Sequence, residues 1–263
     1  MSVEPRTAHH PASGPAGRNF VSVASGKGGV GKTFLSITLA QALAHRGRRV
    51  LLFDADLGLA NVDIQLGLQA RRDIGQVLAG SAGLAEVVQT YAGGGFDIVP
   101  GKSGSGALAE IDGKQLKLLI GELLQVARRY DTVILDHAAG IDATVRLLSP
   151  PGGIDLVVVT DEPTSMTDAY AYIKVALAQR KPRDIRVVVN MATDERAGDR
   201  TYQALAKACG NFLQVRPKLA GVVRRDRRVA DAIRHQTGLL SRYPNSPAAV
   251  DVEAVARRLL QPK

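Results

Sequence analysis

Apolar positions along the chain follow two rhythms. Short continuous runs occur at Phe20–Ala24, Val50–Phe53, Phe96–Val99, Thr132–Leu135, Ile154–Thr160, Ile185–Asn190 and Gly221–Val223. Runs of this length, apolar on both faces, predict strands buried on both sides of a parallel sheet. Between them the apolar residues recur at three and four. Leu35, Leu39 and Leu43 interleave with Ile37, Ala40 and Ala44, and Leu116, Leu119, Ile120, Leu123, Leu124 and Ala127 form one stripe between Gly113 and Tyr130. Such spacing predicts amphipathic helices. Further helices are expected at Ile74–Leu78, Leu84–Thr90, Met166–Gln179, Asp226–Arg234 and from about Ala248 onward. The alternation predicts an α/β fold, doubly wound, with a mostly parallel sheet and helices on both faces.

Residues 1–18 break the pattern. They are rich in Pro, Gly, Ala and Ser, carry no apolar period, and read as a disordered tail. No internal repeat or linker divides residues 19–263, so a single domain is expected there.

Composition narrows the class. At 263 residues and 45% hydrophobic the chain can bury a full core. Cys209 is the one cysteine, which excludes an internal disulfide and any cysteine-based metal centre supplied by one chain. No apolar run approaches the roughly 20 residues needed to cross a bilayer. A cytoplasmic location is the expectation. The net charge of +9 is uneven: Arg180 to Lys263 hold 18 Lys and Arg against 8 Asp and Glu. Such a surplus suits DNA, anionic lipid or an acidic protein, and equally a solvated surface. The sequence leaves these open, although no aromatics interleave with the arginines as single-strand stacking requires.

The chemistry concentrates where the first strand meets the first helix. Ser25-Gly26-Lys27-Gly28-Gly29-Val30-Gly31-Lys32-Thr33 fits G-x-x-x-x-G-K-[ST]. Such a loop turns backbone N–H groups onto a phosphate at the positive end of a helix. The same glycines also fit G-x-G-x-x-G, and Asp54 lies 23 residues beyond Gly31, as a dinucleotide site would require. Lys32 and Thr33 decide for a triphosphate: the lysine reaches the β and γ phosphates and the hydroxyl ligates Mg²⁺. Asp54 and Asp56 follow the second strand, at the carboxyl edge where open α/β sheets bind ligands. Asp136 ends another strand in the pattern of a second carboxylate on the Mg²⁺ side. His137 beside it reads as a filler position rather than a proton shuttle. Gly101-Lys102-Ser103 lacks the leading glycine of a second phosphate loop and reads as a plain loop.

With Lys27 included, the loop resembles the deviant Walker A motif of the MinD/ParA family. Phe53-Asp54-Ala55-Asp56-Leu57-Gly58-Leu59-Ala60-Asn61-Val62-Asp63 is similar to that family's first switch. Glu162–Tyr170 followed by Ile173-Lys174, Val188–Met191 and Tyr243–Pro247 resemble its flagellar branch, FlhG (FleN). The resemblance spans about residues 20–250. It implies ATP and Mg²⁺ as cofactors and an ATP-dependent homodimer in which Lys27 reaches the partner subunit's phosphates. By the same resemblance Lys32, Thr33, Asp54 and Asp136 serve phosphates and metal, with Asp56 positioning the hydrolytic water. The nucleotide-binding set is then Gly26, Lys27, Gly28, Gly29, Val30, Gly31, Lys32 and Thr33, with Asn190 on the adenine and Arg224 and Asp226 on its flank.

The implied output is control of flagellar number or placement through the GTPase FlhF, a flagellar regulator or basal-body proteins, with membrane association as an option. Residues 1–18 hold no DQAxxLR-type motif, the element associated with stimulating FlhF. Phe34, His137, Asp161 and Arg224 depart from the family pattern. A ParA-type DNA-partitioning ATPase, using the basic last third, is the alternative. The iron–sulfur branch lacks its cysteines.

Overall fold

Among the described residues eight strands line up in the order β3-β4-β2-β5-β1-β6-β7-β8, parallel throughout except for the β3–β4 hairpin at one edge. The computed structural model describes residues 19–56, 60–101, 112–140, 148–178 and 184–261. The expected N-terminal tail and the loop after Gly101 lie outside them. In chain order the elements are β1 (Phe20–Ser25), α1 (Lys32–Ala44), β2 (Val50–Ala55), α2 (Val62–Leu66), α3 (Ile74–Leu78), α4 (Leu84–Val87), β3 (Gln89–Tyr91), β4 (Phe96–Val99) and α5 (Gly113–Ala127). Then follow β5 (Thr132–Ala139), β6 (Ile154–Val159), α6 (Pro163–Ala178), β7 (Asp184–Ala192), α7 (Glu195–Leu213), β8 (Lys218–Arg224), α8 (Arg227–Arg234), α9 (Leu239–Arg242) and α10 (Pro247–Leu260).

The continuous apolar runs are explained by helices on both faces. On β2, Val50 and Leu52 pack with α1 and α10, while Leu51 and Phe53 pack with α3, α4 and α5. On β6 and β7, Val157, Val159, Val187 and Val189 meet α6 and α7 on that second face. The chain winds from β1 to one side through β5 and to the other through β6. The carboxyl end of β1 is therefore the crevice where such sheets take ligands.

Several elements differ from the sequence expectation, and β5 runs on past Asp136 to Ala139. The helix expected over Leu84–Thr90 stops at Val87, and Gln89–Tyr91 instead pairs antiparallel with Phe96–Ile98 across the turn at 92–95. The apolar pattern marks neither α7, the 19-residue helix capped by Asp194, nor the short α2 and α9. The C-terminal helix α10 docks on the core: Ala248, Ala249, Val252, Val255 and Ala256 are buried there, and Arg258 Nη1 donates to Ala220 O at 3.1 Å.

Candidate functional site

The loop between β1 and α1 is shaped by contacts from β7 and α6. Gly31 takes a left-handed conformation (φ 89°) at the N-cap of α1 and makes no side-chain cap, so the first-turn N–H groups are left for a ligand. Asn190 on β7 braces the loop, its Nδ2 donating to Val30 O at 2.8 Å. A Cβ on Gly31 would stand 2.4 Å from that nitrogen, and one on Gly26 would stand 2.3 Å from the carbonyl oxygen of Asp168 on α6. The loop is thus wedged between β7 and α6.

Lys32 is buried and folds back so that its Nζ donates to Ser25 Oγ at 3.0 Å, while that hydroxyl donates to Lys27 O at 2.6 Å. Burial lowers the Lys32 pKa, against the opposing pull of Asp136 and Asp56. A desolvated ammonium at a helix N-terminus is a fit for phosphate oxygens.

Beside it, Asp54 and Asp136 face each other across the β2–β5 register. Both are buried, at 0% and 2% exposure. Burial and the neighbouring Asp136 push Asp54 up to about 8, against N–H groups of Val62, Asp56 and Asn61 that donate to it. Their distances are all 3.1 Å. Burial likewise raises Asp136 to about 6, opposed by hydroxyl hydrogen bonds from Thr33 and Ser36 and by the charge of Lys32. Two desolvated carboxylates that resist shared ionisation fit a divalent cation, which would hold both as anions. Among the described residues no cluster of three or more His, Cys, Asp or Glu side chains assembles a metal cage. That suits Mg²⁺, which is held by one or two carboxylates together with phosphate and water rather than by an all-protein cage. Asp56 stands just past the end of β2, half-buried, and its charge acts on both Lys32 and Asp136.

The remaining expected residues have partners within the chain. Arg224 donates through Nε and Nη2 to Asp251 on α10, both at 2.8 Å. Asp226 caps α8 and accepts from Arg228 N and Ala248 N, at 2.9 and 3.2 Å. Asn190 gives an N–H of Nδ2 to the loop carbonyl of Val30, which holds its amide against the loop. Lys27 Nζ pairs with Glu162 and donates to Thr164 Oγ1 at 2.9 Å, both just ahead of or within the first turn of α6.

His137 sits on the opposite sheet face from Asp136, in a buried chain where Ser22 Oγ donates to Ser149 Oγ (2.8 Å), itself 3.1 Å from His137 Nε2. Its alternation with Asp136 turns it away from Lys32 and Ser36, which bears on the shuttle reading. Sequence reasoning did not single out Ser25, Ser36 or Asp168. Ser25, directly before the first loop glycine, was the one with a positional signal.

A family model described as CobQ/CobB/MinD/ParA nucleotide binding domain matches residues 21–239. The chain belongs to the MinD/ParA family. It is 39% identical over 239 residues to the antiactivator FleN of Pseudomonas aeruginosa, covering 91% of this chain and 85% of that one. It is 30% identical over 242 residues to the flagellum site-determining protein YlxH of Helicobacter pylori, covering 92% and 81%. The MinD of Pyrococcus horikoshii complexed with Mg-ADP shares the fold at a TM-score of 0.78 and 23% identity, over 93% of this chain and 96% of that one. As a MinD/ParA member the chain is a P-loop ATPase with ATP and Mg²⁺ as its cofactors. No helix among the described residues is long and apolar enough to cross a membrane.

Proposed function

We propose that this ATPase is a nucleotide switch of the FlhG (FleN) type, dimeric with ATP and released by hydrolysis, that regulates flagellar number or placement. The observation that carries the chemistry is the convergence of Lys32, Thr33, Asp54 and Asp136 at the uncapped N-terminus of α1. Its likeness to FleN and to the flagellum site-determining YlxH over most of both chains supports the pathway.

In this reading the loop N–H groups and Lys32 hold the β and γ phosphates, and Thr33, Asp54 and Asp136 hold the metal side. Mg²⁺ held by these residues would supply charge neutralisation at the phosphoryl oxygens. Asp56 orients the attacking water, Asn190 Oδ1 accepts from adenine, and Arg224 and Asp226 flank it by holding the β8–α8 turn in shape. Lys27 crosses to the phosphates of a second copy. FlhF, a flagellar regulator or basal-body proteins read the ATP state, in the cytoplasm or at the inner membrane face or cell pole.

Several arginines of the basic third are tied to local acceptors: Arg224 to Asp251, Arg186 to Asp184 and Arg242 to Asp231. That weighs against a dedicated DNA face.

Two experiments test the reading. Lys27→Ala is expected to abolish ATP-dependent dimerisation in light scattering while the monomer still binds nucleotide; an undiminished dimer refutes the role. Expression in a Pseudomonas aeruginosa strain lacking FleN is expected to restore flagellar number, and Lys32→Ala to fail. No rescue, together with ATP-dependent DNA binding that falls steeply with salt, would assign the chain to the partition branch instead.

A further inference from the structure

The loop's first lysine is already occupied within its own subunit. Lys27 Nζ pairs with the carboxylate of Glu162 and donates to Thr164 Oγ1 at 2.9 Å, across 135 and 137 residues of chain. The lysine is delivered there by packing: Gly26 lies against the backbone of Asp168 with no room for a Cβ, and Lys27 O accepts from Ser25 Oγ. The segment that carries the flagellar resemblance, Glu162 to Lys174, is thus the one touching the family's signature lysine.

We infer that Glu162, with Thr164, is a latch that holds Lys27 within its own subunit and competes with the phosphates of a second copy of the chain for that ammonium. The inference rests on the dimer reading above. For Lys27 to reach a nucleotide in another subunit it must leave Glu162, since one ammonium cannot serve both anions at separate places.

Two features suit the contact to a switch. The Lys27 and Glu162 side chains are 36% and 57% exposed, so water screens the pair and it opens at small cost. The charge of Arg225 also acts on Glu162, so the carboxylate keeps a cationic neighbour after Lys27 departs. The latch therefore raises the concentration of ATP-loaded chain needed to dimerise without blocking dimerisation.

The test is sedimentation velocity at rising protein concentration, with Mg²⁺ and the non-hydrolysed analogue AMPPNP. Glu162→Gln keeps the shape and removes the charge; its dimerisation midpoint is expected about two- to fivefold below the parent. Thr164→Val is expected to move it the same way by less.

An unchanged midpoint in Glu162→Gln overturns the latch. So does a higher midpoint, which would place Glu162 in the dimer contact itself. A fluorescent ATP analogue, titrated below the dimer threshold, is expected to bind Glu162→Gln and parent alike; a matching change in that affinity also overturns the latch by placing Glu162 in the nucleotide pocket. If Lys27→Ala still dimerises, the dimer reading underneath fails, and that result is distinct from the behaviour of any Glu162 variant.

Discussion

Asn190 donates a 2.8 Å hydrogen bond to the carbonyl of Val30, and the neighbouring Gly31 leaves only 2.4 Å between that amide nitrogen and a would-be methyl group. The curvature of the loop is therefore enforced from β7, a strand on the far side of β6. Gly31→Ala is expected to combine a left-handed strain with this clash and to abolish nucleotide binding, read by titration with a fluorescent ATP analogue. Asn190→Ala is expected to fold but to bind nucleotide at least tenfold more weakly, about 1.4 kcal/mol or more. Equal affinity would show that the loop holds its shape alone.

Asp56 stands past the end of β2, where its charge reaches Lys32 and Asp136 without sharing the full burial of Asp54. Asp56→Ala is expected to bind ATP and dimerise yet release phosphate at least about a hundredfold more slowly, since positioned acid–base groups contribute on that order. Phosphate release at the parental rate would remove Asp56 from the water-orienting role.

The two facing carboxylates predict a pH dependence for the protein freed of nucleotide and metal. A carboxyl whose folded pKa is raised binds its proton more tightly when folded, so stability falls as pH rises from the unfolded value toward the folded one. The window is about pH 4 to 8 for Asp54 and about pH 4 to 6 for Asp136. Urea melts between pH 5 and 8 are expected to show this decline without Mg-nucleotide and a smaller decline with it, because the cation favours the anions. Asp131, whose pKa the Arg49 hydrogen bond holds down, contributes in the opposite sense: its stabilisation is full above about pH 4 and is lost on acidification through the lowered value. A saturated Mg-nucleotide complex with the same slope as the free protein would contradict the assignment.

Gln41 offers a test of the fold apart from the site. It is fully buried on α1, donates to Ser241 Oγ at 2.6 Å, and accepts from Leu240 N at 3.2 Å. Gln41→Leu strands that buried N–H, at about 1–3 kcal/mol. At about 2–4 °C per kcal/mol for a chain of this size, a clear drop in Tm is expected, with monomer nucleotide affinity unchanged at a temperature where both fold.

Legibility followed burial. The β1 run, its glycines, Asp54 near the end of β2 and Asp136 within β5 could be read because a strand buried on both faces has a continuous apolar signature, broken where the acid enters it. α7 was harder: its buried stripe, Gly198, Thr201, Leu205, Ala206 and Cys209, includes a glycine and a threonine and lies on an otherwise largely polar helix. β3 has three residues and half-exposed side chains, too short for a period; only the glycines of the 92–95 turn hint at a hairpin. Within the site, the residue types at Lys27 and Glu162 were legible and their meeting was not, because packing of α6 against Gly26 creates it.

One consequence of Asp54 reaches beyond metal chemistry. Its Oδ2 accepts from both Asn61 N and Val62 N, so the carboxylate is the peg on which α2 hangs. At its other end α2 presents Ile64 O to Gln236 Nε2 at 3.3 Å, and Gly67 lies against the same glutamine, two residues past α8 with its arginines. A cation held by Asp54 and Asp136 would change the charge on that peg. The crevice and the segment after α8 are thus joined through α2, by one carboxylate at one end and one glutamine at the other.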